Sequence, residues 1–522
     1  MDHLSRATRR QQTRRRFLKT AAGGGAMFGM GDLIALWGLG PANAAEAVVT
    51  PDVVRFGPEL EPVVRLIEQT PEEDCAGVMI GQLKNRLPYR QFIAGLYLAA
   101  IRAARWHEGM HAFDHNAYVV HSAYRLGLDL PAGEQLLPAF YALLSFKGMQ
   151  KVYPDKKGMR ELTGKLPPAE KAADELRAAL EEWDAERAER AVVVLARTRG
   201  SAAVLEPLWR YAARTWGFIG HMAILTANSA RLLETIGWQH GEPVLRYIVE
   251  GFAGWGKEHA GSADVRPYLA NLPRAEKAAA RLPGNWAEAV ANEGLTKDLL
   301  AALRDGKGDE ACDLAVKHLA EGKAQAGAIW DAVHLAAGEL VLSVKPKQGN
   351  RPDGNALHAN TAANALHYAF RSSTLPDTRL LLTLQALSWM DLYRKSRAKD
   401  IPAVTDITAL TGKELLQKPE AAINEVLATR TDSPHEAGRL AFALARNNGV
   451  EPLLRAARRL LPMKASADPH DIKFPVAIFE DLDLISARWR PHLLAAGVFS
   501  FWGTDRPDNA RMEQLREAVR RI

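Results

Sequence analysis

The stretch HMAILTANSARLLETIGWQHGEPVLR, residues 221–246, reads as a helical hairpin written almost in full. Apolar residues recur at three- and four-residue spacing from His221 to Ile236, the pattern of a buried helical face. Gly237 supplies the stop, and Glu242-Pro243 opens a second helix. Proline's missing N–H and fixed φ suit a first helical turn, and a glutamate beside it suits the positive end of the helix dipole. The phrase returns as Glu206-Pro207-Leu208-Trp209-Arg210 and Glu451-Pro452-Leu453-Leu454-Arg455, with a looser copy at Gly133-Glu134-Gln135-Leu136-Leu137.

A histidine-led helix precedes three of these copies: His115 to Gly127, His221 to Gly237 and His435 to Gly449. A fourth such helix, His358 to His367, is followed by Ser-Ser-Thr-Leu-Pro instead. Stacked hairpins bury one another's apolar faces, and period-two runs of β-branched residues are nearly lacking. The reading is an all-α fold, an irregular α-α hairpin repeat that is either solenoid or ring-like, in one body or two lobes. Charge-rich insertions at 155–190 and 258–325 interrupt it. Residues 45–400 form the histidine-rich helical body and 401–522 continue it.

Composition is that of a globular protein, 47% hydrophobic and 25% charged over 522 residues. The formal charge of +6 sits at the front: residues 1–44 hold seven Lys or Arg against two Asp, leaving 60 basic and 59 acidic groups beyond them. A near-neutral body offers no clustered positive face for nucleic acid. Thr13-Arg14-Arg15-Arg16-Phe17-Leu18-Lys19 resembles the bacterial twin-arginine export motif. An apolar, Gly-rich stretch from Thr20 to Gly40 follows, then small residues at Pro41-Ala42-Asn43-Ala44. This marks 1–44 as a twin-arginine signal peptide cut after Ala44. The expectation is a periplasmic or secreted protein that engages the twin-arginine machinery and keeps no stable membrane insertion after cleavage; an uncleaved anchor is the alternative. Cys75 and Cys312 are expected as free, buried thiols rather than a disulfide.

Residues 105–127, RWHEGMHAFDHNAYVVHSAYRLG, hold four of the fifteen histidines. On a helix, His107, His111, Asp114, His115, Tyr118 and His121 share an arc of about 120°. Imidazoles at i and i+4 suit a transition metal, with a carboxylate as a further ligand or orienter; a solvated stripe is the alternative. His107-Glu108-Gly109-Met110-His111 spells the zincin H-E-x-x-H, yet Arg105 and the lack of a preceding strand-rich subdomain argue against a protease. If His115, His221, His358 and His435 hold equivalent places in a closing array, their rings meet. In an open solenoid they are strung apart. Glu339 sits with His334 on a mostly apolar helix, where a buried carboxyl can act as acid or base or simply pair with an arginine. His358 and His367 fall on opposite sides of their helix. Trp106, Trp209 and Trp330 are candidates to wall an apolar pocket, or core.

His115-Asn-Ala-Tyr-Val-Val-His121 with Tyr124-Arg125-Leu126-Gly127, Gly220-His221-Met-Ala-Ile, Gly338-Glu339-Leu340 and Leu357-His358-Ala-Asn-Thr-Ala-Ala-Asn-Ala-Leu resemble the questin oxidase-like family over roughly residues 100–400. The resemblance implies an all-helical fold and oxidative cleavage of a quinone ring, with NADPH as reductant. Export from the cytoplasm would remove that NADPH. By this resemblance His115, His121, His221 and His358 are active-site candidates and Glu339 a further one. The resulting expectation is an exported, metal-assisted oxidoreductase of the oxygenase type acting on a small organic molecule. His107, His111, His115, His121 and His221 would hold iron, copper or zinc, and Glu108, Glu339 and His358 would be catalytic. A zinc-dependent or metal-free hydrolase or lyase, and a non-catalytic helical scaffold, are the rival readings.

Overall fold

Twenty-two α-helices and no strand occur among the described residues of the computed structural model, which are 54–104, 112–153, 158–256, 263–347, 352–412 and 418–522. The chain is all-α. The leader at 1–44, and His107, Glu108, His111 and Trp106, lie outside the described residues. No helix among those described is long and apolar enough to cross a membrane.

The hairpin at 221–246 forms as its sequence directs. Its first helix is His221–Ile236, closed by Gly237 at φ 113°, a left-handed position that favours glycine. The second is Gly241–Gly256, with Pro243 in its first turn. Pro434–Asn448, Gly449 at φ 76° and Glu451–Lys464 repeat the pattern. The copy at Pro207 departs from it. That helix runs Ser201–Ala212 and places Pro207 in its interior, where proline typically costs about 3 kcal/mol. Burial of Leu208 and Trp209 opposes that cost. Glu206 does not serve its own helix start; it accepts the Thr374 N–H at 2.8 Å at the end of a different helix.

Helix Gly354–Ser372 lies at the centre. Asp353 caps it, accepting the N–H groups of Asn355 at 2.9 Å and Ala356 at 3.1 Å, and every residue from Ala356 to Phe370 is buried. Its alanines let helices His221–Ile236, Ala326–Ser343, Pro376–Ser396 and His470–Leu484 close around it. Helix Ala112–Leu128 packs against both the His221 and His470 helices. The chain's last helix, Ala510–Val519, folds back onto helices Glu72–Lys84 and Leu137–Val152, where Arg511 pairs with Glu72 at 2.7 Å. Residues from 401–522 therefore complete the surroundings of helices that begin near residue 112. Cys75 and Cys312 are free and buried, and burial raises each thiol to about 11, so both are inert structural thiols.

Candidate metal centre

Three of the four helix-leading histidines meet. His115, His221 and His358 each offer one ring nitrogen to a cluster whose ligand atoms lie within 4.8 Å of one another, with His221 and His358 buried and His115 partly so. Nε2 of His221 is 3.2 Å from Nε2 of His115, and the His221 and His358 ring centroids are 4.8 Å apart. Orientation follows from the other ring nitrogen. His358 Nδ1–H donates to the Gly354 carbonyl at 2.6 Å, and His221 Nδ1–H donates to the Phe218 carbonyl. Each bond fixes the tautomer that leaves the Nε2 lone pair facing inward, the arrangement by which metal-ligating histidines are aimed.

The entry to the His221 helix is strained. Phe218, Ile219 and Gly220 have φ of 54°, 47° and 77°, three successive left-handed residues of which only the last is a glycine. Holding a phenylalanine and a β-branched isoleucine there costs on the order of 1–3 kcal/mol each. A Cβ on Gly220 would stand 2.9 Å from Tyr393 Oη and 3.1 Å from both Ala362 Cβ and Trp389 Cζ3, so the chain needs glycine for space as well as for φ. The same turn sets the Phe218 ring 4.3 Å from the His221 ring.

Two residues that the sequence did not single out complete the site, both from helix His470–Leu484. The His470 ring lies 4.5 Å from His115 and 5.2 Å from His358. Its Nδ1–H donates to Asp468 Oδ1 at 2.6 Å, while its Nε2 is buried and has no hydrogen-bond partner. His470 is an oriented imidazole with an unbonded buried nitrogen beside the three-histidine group. Lys473 Nζ stands 3.4 Å from His358 Nε2 and lies over the Tyr118 and Phe474 rings at 5.7 and 5.2 Å. No carboxylate among the described residues pairs with it. Burial lowers its ammonium to about 7. Burial, then the charges of Lys473, His221 and His470, holds His358 well below its ordinary value. Burial and Lys473 lower His470 while Asp468 pulls the other way. His358 and His470 therefore favour the neutral imidazole, the form that binds metal.

Other sequence candidates are engaged elsewhere. His121 Nε2 meets Glu480 Oε1 at 3.0 Å, not the cluster. Burial acts to raise Glu480, but Arg231 and His121 more than offset it and hold the carboxyl well below the usual range. Glu339 is locked by Arg304 at 2.6 Å, Arg394 at 3.3 Å and the Ile407 N–H at 3.2 Å, which makes it the arginine-paired carboxylate rather than an acid or base facing the histidines. His435 packs edge-on against Phe499, 5.0 Å between centroids. Trp209 packs against Tyr368 at 5.9 Å, and Trp330 stacks on His367 at 4.3 Å.

Comparison of the chain with protein-family models, with curated proteins and with solved structures gives no match.

Proposed function

We propose that this protein is an exported metal-dependent oxidoreductase of the oxygenase type, acting on a small organic molecule. One observation carries the reading: histidines from three separate helices bring one ring nitrogen each to within 4.8 Å of the others, while backbone carbonyls hold the Nδ1–H of two of them. All-nitrogen, neutral donor sets suit iron, copper or zinc. Bound there, a redox-active ion would supply dioxygen chemistry, and zinc would supply a Lewis acid. The chain's own residues do the rest. His115, His221 and His358 bind, His470 is the fourth candidate donor, burial and Lys473 favour its neutral form, and Asp468 keeps it aimed. Phe218, Phe474 and Tyr118 give the surroundings an apolar, aromatic character suited to a flat organic substrate. Lys473, the cation facing the cluster, is placed to donate to an anionic oxygen of such a substrate. The partly exposed edges of His115, Phe218, Ile219 and His470 mark the side of approach.

One rival rests on a specific contact. The Lys473 ammonium can satisfy His358 by donating to its Nε2, so that the cluster serves metal-free hydrolytic or lyase chemistry. Metal analysis of the purified protein with its absorption spectrum separates these. One iron or copper per chain supports the oxygenase, one zinc supports a hydrolase, and no metal after iron, copper or zinc loading contradicts the metal reading. The export half is tested by cell fractionation, where R14K/R15K is expected to strand the protein in the cytoplasm.

A further inference from the structure

We infer that Tyr393 is a positioning residue for this centre: it pins the left-handed turn Phe218–Gly220 and thereby presets the His221 imidazole, an inference that rests on the metal reading above. Tyr393 comes from helix Pro376–Ser396, which contributes no histidine to the cluster, and it is fully buried. A buried phenol must spend its hydroxyl on a partner. This one donates to the Ile219 carbonyl at 2.7 Å, the middle residue of the strained turn.

A turn with three successive positive φ angles, two of them at non-glycine residues, persists only where its surroundings over-determine it. Three constraints meet here. The Gly220 N–H bonds to the Trp216 carbonyl at 3.0 Å. Ala362 and Trp389 fill the space beside Gly220, leaving no room for a side chain there. Tyr393 holds the Ile219 carbonyl, and its Oη also crowds the position beside Gly220. The product is the placement of the Phe218 carbonyl, which accepts both the His221 backbone N–H and the His221 ring Nδ1–H. Released from that turn, the carbonyl leaves, and His221 is free to rotate or to change tautomer and put a hydrogen on Nε2. A donor nitrogen carrying a hydrogen is no ligand.

The test removes one oxygen atom. Apo wild type, Y393F and Y393F/I219G are titrated with Co(II) and melted without metal. Y393F is expected to keep one site per chain but raise the Co(II) dissociation constant by about tenfold to a hundredfold, the usual range for losing an outer-shell partner, and to change the Co(II) visible spectrum. Glycine at 219 adopts the positive φ without steric cost, so I219G is expected to recover most of that affinity in the Y393F background. A tyrosine that is merely core would lower the apo melting temperature and leave the Co(II) affinity unmoved. Y393F binding Co(II) as tightly as wild type, or a double variant with no recovery, overturns the inference. Should wild type bind no Co(II), the metal reading fails by itself. Nitrogen-15 spectra of labelled histidine then judge Tyr393 separately: His221 must be the Nδ1–H tautomer in wild type and lose that preference in Y393F.

Discussion

Helix Gly354–Ser372 carries two buried histidines on opposite faces, and each belongs to a histidine cluster of a different kind. On one face, His358 joins His115 and His221, each bringing one ring nitrogen to a shared cluster, with the Nδ1–H groups of His221 and His358 turned outward to backbone carbonyls and the His470 ring beside them. On the other, His367 Nδ1 meets His334 Nε2 at 2.9 Å and His334 Nδ1 meets Asp481 at 3.4 Å. Asp481 also accepts from Asn364 at 2.8 Å, and Trp330 stacks flat on His367. The second cluster spends its nitrogens within itself. Burial alone therefore does not mark a metal site; the convergence of ring nitrogens from three helices does.

That contrast yields a graded set of outcomes. H115A, H221A and H358A should each abolish stoichiometric metal with at most a modest fall in apo stability, read by metal analysis and melting. In the second cluster the effects reverse. H334L leaves Asp481 buried without its imidazole and should lower stability by about 2–3 kcal/mol in denaturant unfolding, while metal content stays at wild type. Metal loss in H334L would erase the distinction between the faces.

A pH series sharpens it. Burial, then His334 and Arg371, holds His367 well below its ordinary value, so the unfolded chain takes up a proton near pH 6.5 that the folded chain refuses. Stability from this group is full above about pH 6.5 and is lost as pH falls below it. H367F should flatten that part of the stability–pH curve. An unchanged curve would mean that His367 titrates normally. The smallest effect belongs to K473M. A buried ammonium that no carboxylate among the described residues pairs with is replaced by a volume-matched apolar side chain, which should leave apo stability at pH 7 equal to or slightly above wild type.

Much of this was legible in the letters. Helix-leading histidines gave His115, His221 and His358, the first two with a glycine stop after them, and the periodicity that places them on helices is local. The opposite facing of His358 and His367 follows from nine residues of helical rotation. What escaped depends on distant partners. Glu339 reads as a buried acid until Arg304 and Arg394 arrive from other helices, and His121 shares an arc with His115 yet turns to Glu480 on helix His470–Leu484. His470 and Lys473 belong to a helix outside the repeated phrase, so nothing local tied them to the others. Pro207 misled because its helix starts six residues earlier, at Ser201 after Gly200, rather than at the proline.

The central claim is that one ion binds where the Nε2 atoms of His115, His221 and His358 converge. Anomalous X-ray scattering from crystals of the Co(II)-loaded protein tests it most directly. The account predicts a single strong peak about 2.0–2.2 Å from all three nitrogens. A map with no peak at that point, or with the only peak at surface carboxylates, would contradict it.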